Sequence, residues 1–126
     1  MTTLISPGGS ATALGLAGQL VDALSTRSFD DLRSCLAEDA QLRALVPPGP
    51  FELVGAADIT ARFRTWFAER EEFALCDASI GDIGPRTYAR WRIRVAGPLL
   101  VEQHVFLTCS DRVQRIDLLC SGFVTE

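Results

Sequence analysis

Apolar residues recur at helical spacing through the first half of the chain and alternate with polar ones through the second. Leu16, Leu20, Val21 and Leu24 predict an amphipathic helix over residues 11–25 with one buried stripe. Ser28 precedes FDDLRSCLA with Asp31 three residues later, so a shorter second helix should open on an approximate capping box, with its acids near the positive end of the helix dipole. Leu32, Cys35 and Leu36 supply its inner face. AQLRALVPPGPFELVG reads as a short strand broken by Pro47, Pro48 and Pro50, because proline has no N–H for a sheet ladder. ADITARFRTWFAER predicts a third helix, with Ile59, Phe63, Trp66 and Phe67 on one side and Arg62, Arg64, Glu69 and Arg70 mostly elsewhere.

Four β-rich segments follow, EFALCDASIGDIG, RTYARWRIRV, LLVEQHVFLTC and RVQRIDLLCSGFV, separated by Gly/Pro and Ser-Asp turn signals. Helices first and a meander of strands afterwards predict an α+β domain with helices packed on one face of an antiparallel sheet.

Which side chains face the helices depends on hairpin register, since a slip of one residue turns every side chain over. In the last hairpin, a two-residue Ser110-Asp111 turn would pair Val105 with Ile116, Gln103 with Leu118, and His104 with Asp117. One face then carries Val101, Gln103, Val105, Leu107, Gln114, Ile116, Leu118 and Cys120, and this mostly apolar face is expected to look inward. In the preceding hairpin, a two-residue Gly97-Pro98 turn would sink Arg90, Arg92 and Arg94 into that face, at a cost of roughly several kcal/mol per unpaired charge. A three-residue turn, Ala96-Gly97-Pro98, instead pairs Ile93 with Val101, Trp91 with Gln103, and Ala89 with Val105. It also sets Arg92 opposite Glu102 and Arg90 opposite His104, so outward charges find partners across strands. The second register is preferred, with Arg90, Arg92, Arg94, Glu102, His104, Phe106, Arg115 and Asp117 outside.

A length of 126 residues suits one domain, expected over residues 11–126, behind a flexible lead at 1–10 suggested by the Gly, Ser, Pro and Thr of residues 2–12. With 12 basic and 16 acidic residues and a formal charge of −4, no broad basic surface is available for nucleic acid. No apolar run approaches the roughly 20 residues that span a bilayer, and no basic residue precedes a secretory-type apolar run, so a cytoplasmic protein with no membrane partner is expected. Cys35, Cys76, Cys109 and Cys120 are scattered singly and there is one histidine, so neither a metal site nor a cofactor is expected.

The order of elements resembles the nuclear transport factor 2-like superfamily, within it the SnoaL-like (polyketide cyclase and ketosteroid isomerase-like) group. The carrying residues are LAEDAQL (36–42) ending a helix-loop-helix, LVGAADITARF (53–63), and HVFLTCSDRVQRIDLLCSGF (104–123). The resemblance implies a cystatin-like fold, a cone of curved antiparallel sheet wrapped around helices, with a pocket for a hydrophobic small molecule. It also implies a homodimer through the outer sheet face, for which Arg90, Arg92, Glu102, Phe106 and Arg115 are the candidates; a simple solvated face is the alternative.

With that register the cone is lined by Trp91, Gln103, Val105, Leu107, Ile116, Leu118 and Cys120 from the sheet and by Phe63, Trp66 and Phe67 from the third helix. Such a lining suits an apolar ligand, and equally a filled core. Carried over residue by residue, the isomerases' tyrosine, aspartate base and protonated aspartate fall on Leu20, Ala44 and Val105. The acid or histidine that cyclases and epoxide hydrolases place in the last strand falls on Ile116 and Leu118. The remaining candidates for proton transfer are His104 with Asp117, should a bulge turn them inward, and Asp77, Tyr88 and Gln103 near the rim. Gln103 is the best candidate for a hydrogen bond to a ligand; Cys120 has no base beside it and reads as packing.

Two functional readings stand. One is a cyclase, isomerase or hydrolase acting on a hydrophobic polyketide-like or terpenoid-like molecule; the other is a noncatalytic small-molecule binding or dimeric scaffold module.

Overall fold

The computed structural model describes residues 10–125. The expected lead falls outside the described residues except for Ser10, where α1 begins. Helix α1 runs Ser10–Ser25, α2 Phe29–Ser34 and α3 Ala56–Phe67. The strands are β1 (Leu36–Val46), β2 (Gly49–Val54), β3 (Ala74–Ile83), β4 (Arg86–Ala96), β5 (Leu99–Cys109), β6 (Val113–Cys120) and β7 (Val124–Thr125). LAEDAQL therefore opens a strand, and the proline-rich segment is a hairpin whose two strands turn at Pro47-Pro48. Pro50 sits in the edge strand β2, where a missing N–H costs least.

The capping box takes another form. Ser28 occupies the N-cap of α2 but its Oγ donates to Asp31 Oδ2 (2.7 Å), and neither side chain caps a backbone N–H. The turn from α1 to α2 is held from outside. Arg27 adopts a left-handed conformation (φ 54°), and its Nη1 donates to the carbonyls of Phe67 (3.1 Å) and Arg70 (2.7 Å), which closes the C-terminal end of α3.

The strands form one curved sheet in the order β2-β1-β6-β5-β4-β3. The fold is α+β as expected, but the sheet is mixed: β1 lies parallel to β6, with Leu42 beside Ile116 and Ala44 beside Leu118. A parallel pair needs a long crossover, and β2, α3 and β3–β5 provide it. After β6 the chain leaves the ladder at Ser121–Phe123 and rejoins β5 as β7, where Leu100 pairs with Val124.

Alternation places Ala89, Trp91, Ile93 and Val95 of β4 against the helices, all at most 2% exposed. Leu20 and Leu24 of α1 and Ile59, Phe63 and Phe67 of α3 meet them in the cone. Each such side chain contributes about 1.5–3 kcal/mol over leaving it exposed.

The β4–β5 register is the one preferred above: Ile93 opposite Val101, Trp91 opposite Gln103, Ala89 opposite Val105 and Arg92 opposite Glu102. Only the turn differs, for Ala96 pairs with Leu99 and a bulge at Val95 supplies the extra residue. The last hairpin is shifted by two residues, with Val105 opposite Leu118, Gln103 opposite Cys120 and Phe106 opposite Asp117. A longer Ser110–Arg112 turn and a bulge after Thr108 cause the shift. Because the shift is even, the faces of Ile116 and Leu118 are unchanged, but Gln114 is exposed and Val113 takes the inward place.

Candidate functional site

The cone is not filled to its mouth. Where the β1–β2 turn, α3, β5 and the Ser121–Phe123 segment converge, a cavity of about 570 Å³ remains. Its walls include Pro47, Pro48 and Pro50, with Phe51, Trp66, Phe67 and Phe123. Proline stiffness at the turn and the helical stripe of α3 bring these groups together. The rings meet mostly edge to face: Phe51 with Trp66 at 6.3 Å between centroids, Trp66 with Phe63 at 5.2 Å, and Trp66 with Phe67 at 6.1 Å.

At the base of the cavity stands Gln103, 1% exposed. Its Oε1 accepts from Trp91 Nε1 (2.8 Å), and its Nε2 donates to Cys120 Sγ (3.5 Å). A carboxamide has two N–H donors, so one is left beyond the Cys120 contact. Trp91, by satisfying the oxygen, fixes which end of the amide faces inward.

The Ser121–Phe123 segment forms one side of the opening. Gly122 has φ 72°, and a Cβ there would stand 2.5 Å from Pro47 Cγ, so only glycine lets the chain pass this closely. Ser121 ties it to β5, its Oγ accepting from the Glu102 N–H (3.0 Å).

Four of the expected ligand residues, Trp66, Phe67, Gln103 and Cys120, line this cavity. Phe63, Trp91, Val105, Ile116 and Leu118 are packed into the filled part of the cone. Tyr88 and Asp77 are not at the rim. They share the outward parity of Arg90 and Arg92, and Asp77 Oδ2 accepts from Arg90 Nη2 (2.9 Å). The positions corresponding to the isomerases' catalytic groups, Leu20, Ala44 and Val105, are all core. Val101, expected on the inward face, also lines the cavity; missed by sequence reasoning were Phe51, Arg62 and Phe123, for the aromatic and proline content of 47–51 was visible, but not the end of the cone that it closes.

His104 and Asp117 are not partners, because the two-residue shift sets Leu119 opposite His104. No bulge turns either of them inward. Asp117 accepts from Arg43 Nε (2.7 Å) and pairs with Arg86 Nη2 (2.8 Å), so Arg43 first and then Arg86 hold its carboxyl below the ordinary range. His104 instead lies between Glu102, 2.7 Å from Nε2, and the Tyr88 hydroxyl, 2.7 Å from Nδ1. With Glu102 ionised, its carboxylate can only accept, so Nε2 carries the proton and a neutral ring accepts the tyrosine O–H at Nδ1. Arg92 donates to Glu102 from Nε and Nη2, and with His104 lowers its pKa.

This carboxylate–imidazole–phenol chain borders a more open depression of about 430 Å³, which Glu102 and His104 line with Leu45 and Leu119. It lies across the sheet from Gln103. Among the described residues, no carboxylate or imidazole lines the larger cavity, and no group of three His, Cys, Asp or Glu side chains is placed to hold a metal ion. Likewise no described helix is long and apolar enough to cross a membrane.

No sequence-family model and no curated protein matches the chain. Solved structures do. A Kribbella flavida protein provisionally named a ketosteroid isomerase superposes with a TM-score of 0.70 at 21% identity, over 94% of this chain and 83% of that one. A nuclear transport factor 2-like protein of unknown function from Mesorhizobium loti gives 0.71 at 17% identity, over 96% and 100%. The chain has the nuclear transport factor 2-like fold. An M. tuberculosis epoxide hydrolase of the LEH-like kind shares it at 0.63 and 16% identity, over 89% and 84%. At these identities the likeness carries the fold and no activity. In this nuclear transport factor 2-like cone, the space left open is the mouth between the proline turn and α3.

Proposed function

We propose that the protein binds an apolar small molecule in the mouth of the cone and orients it through Gln103, without transferring a proton to or from it. One observation carries the reading: a cavity of about 570 Å³ walled by aromatic and proline side chains, whose deeply buried polar group is an amide with a donor to spare. The names of the isomerase-like and epoxide hydrolase-like neighbours also favour an apolar ligand. A cyclase, isomerase or hydrolase would need a titratable group within hydrogen-bond reach of the substrate, and the described carboxylates and the histidine lie elsewhere.

Titration with 2-acetylnaphthalene, a flat apolar ketone, followed by tryptophan fluorescence tests this. Trp66 lines the cavity and Trp91 holds Gln103, so saturable quenching is expected. Gln103→Leu should weaken the ketone about three- to tenfold, the weight of one hydrogen bond, and leave 2-ethylnaphthalene unchanged. Absence of saturable binding by either probe would refute the reading.

The outer sheet face supports a homodimer in the same proposal. Leu45 (53% exposed) and Leu119 (47%) border a shallow depression with half-buried Phe106, which packs on Tyr88, among charges already paired. Leu119→Lys should shift a dimer to monomer in sizing and light scattering. Four free thiols, Cys35, Cys76, Cys109 and Cys120, favour a reducing compartment such as the cytoplasm.

A further inference from the structure

Among the described residues, Arg62 is the single charged one in the lining of the cavity. It projects from α3 at the mouth, half-buried, with its guanidinium carbon 4.2 Å from the centroid of the Phe51 ring. Five other arginines are ion-paired: Arg43 and Arg86 with Asp117, Arg90 with Asp77, Arg92 with Glu102 and Arg64 with Asp30. Arg62 has no ion-pair partner among the described residues. Arg70, likewise unpaired there, flanks the opening, its guanidinium carbon 4.3 Å from the centroid of Phe123, another lining ring. Its Nε is taken by the Trp66 carbonyl (3.1 Å), which holds the side chain in place.

We propose that the ligand is an amphipathic carboxylate: an apolar body in the aromatic walls, a carboxylate head at Arg62, and an acceptor such as a carbonyl or ether oxygen toward Gln103. This rests on the reading of the cavity as an apolar binding site. A guanidinium laid on a phenyl ring keeps its edge N–H donors free, and their planar fork matches the two oxygens of a carboxylate. The cation–π contact replaces only part of the hydration that a half-buried cation loses, so an entering anion gains a desolvated partner. The protein as a whole carries a formal charge of −4, so the attraction must be local, and Arg62 and Arg70 supply it at the opening. Arg62 at the mouth and Gln103 at the base line the same cavity, which selects molecules polar at both ends and apolar between.

Matched probes test the assignment: decanoate against decan-1-ol, and 2-naphthylacetate against 2-naphthylethanol, by calorimetry near neutral pH. In the wild-type protein each acid is expected to bind about tenfold or more tightly than its alcohol, as a charge-assisted pair predicts. Arg62→Gln should bring the acids to the level of the alcohols while the alcohols change by no more than about twofold, and Arg62→Lys should keep part of the preference. Arg43→Gln, which removes an equal charge on the far face, should leave the preference intact. Equal affinity of acid and alcohol for the wild type, or an undiminished preference in Arg62→Gln, overturns the carboxylate assignment and leaves the apolar site standing. Saturable binding by none of the four probes overturns both.

Discussion

Strands β4, β5 and β6 contribute to both sides of the sheet, and the two sides treat polar groups in opposite ways. Inside, Trp91, Gln103, Val105 and Leu118 are at most 2% exposed, and their polar contacts reduce to an indole N–H, an amide and a thiol. Outside, their sequence neighbours Arg90, Arg92, Glu102 and His104 keep contact with water and pair with one another, while Asp117 pairs with Arg43 and Arg86. The carboxylate Glu102 and the imidazole His104 flank Gln103 in sequence, yet the sheet separates them from the cavity. Whether this carboxylate and imidazole reach the cavity therefore depends on a single alternation of the strand, and here they fall on the other side.

The comparison can be broken by exchanging the treatments. Val105→Asp buries an unpaired carboxylate and should cost about 3–5 kcal/mol, whereas Phe106→Asp on the other face should cost about 1 kcal/mol. Urea denaturation checks the pair, and similar costs would mean that the two faces are not differently solvated. Trp91→Phe keeps most of the volume but strips the Gln103 oxygen of its donor, for an expected loss of about 1–3 kcal/mol; Tyr88→Phe, on the outer face, should lose at most about 1 kcal/mol.

Gly122→Ala sharpens the description of the mouth. Its positive φ and the short approach to Pro47 predict a loss of about 1–2 kcal/mol together with altered chemical shifts at Phe123 and Trp66. Unchanged stability would mean that the segment does not pack on Pro47.

The smallest effect belongs to Asp117→Asn, at most about 1 kcal/mol for a surface pair. Arg43 and Arg86 lower the folded carboxyl's pKa, so its stabilisation is complete above the unfolded value near pH ~4 and disappears as pH falls through the folded one. The difference in urea midpoint between wild type and variant should therefore shrink in acid, and a difference that persists there would locate its source elsewhere.

Residue alternation alone placed Arg90, Arg92 and Arg94 outside, because the other register would have buried three guanidinium groups, and β4 and β5 pair as that energetic argument requires. The same reasoning failed for His104 and Asp117. Both lie outside as expected, but a bulge and a longer turn moved β6 by two residues, a change that keeps the faces of Ile116 to Leu118 and so is invisible to their burial pattern. Trp66, Phe67, Gln103 and Cys120 could be nominated from periodicity, while Phe51, Arg62 and Phe123 could not, since they meet only where the proline hairpin, α3 and the C-terminal segment converge.

The sequence by itself determined most element types, the inward stripes of the helices and of β4 and β5, and the side of the sheet that carries charge, because these follow from local spacing and from the cost of burying ions. Only the tertiary structure decided which part of the cone stays open and which polar groups border it. That outcome depends on how far α3 and the C-terminal segment reach across the curved sheet, a distance set by packing among segments remote in sequence.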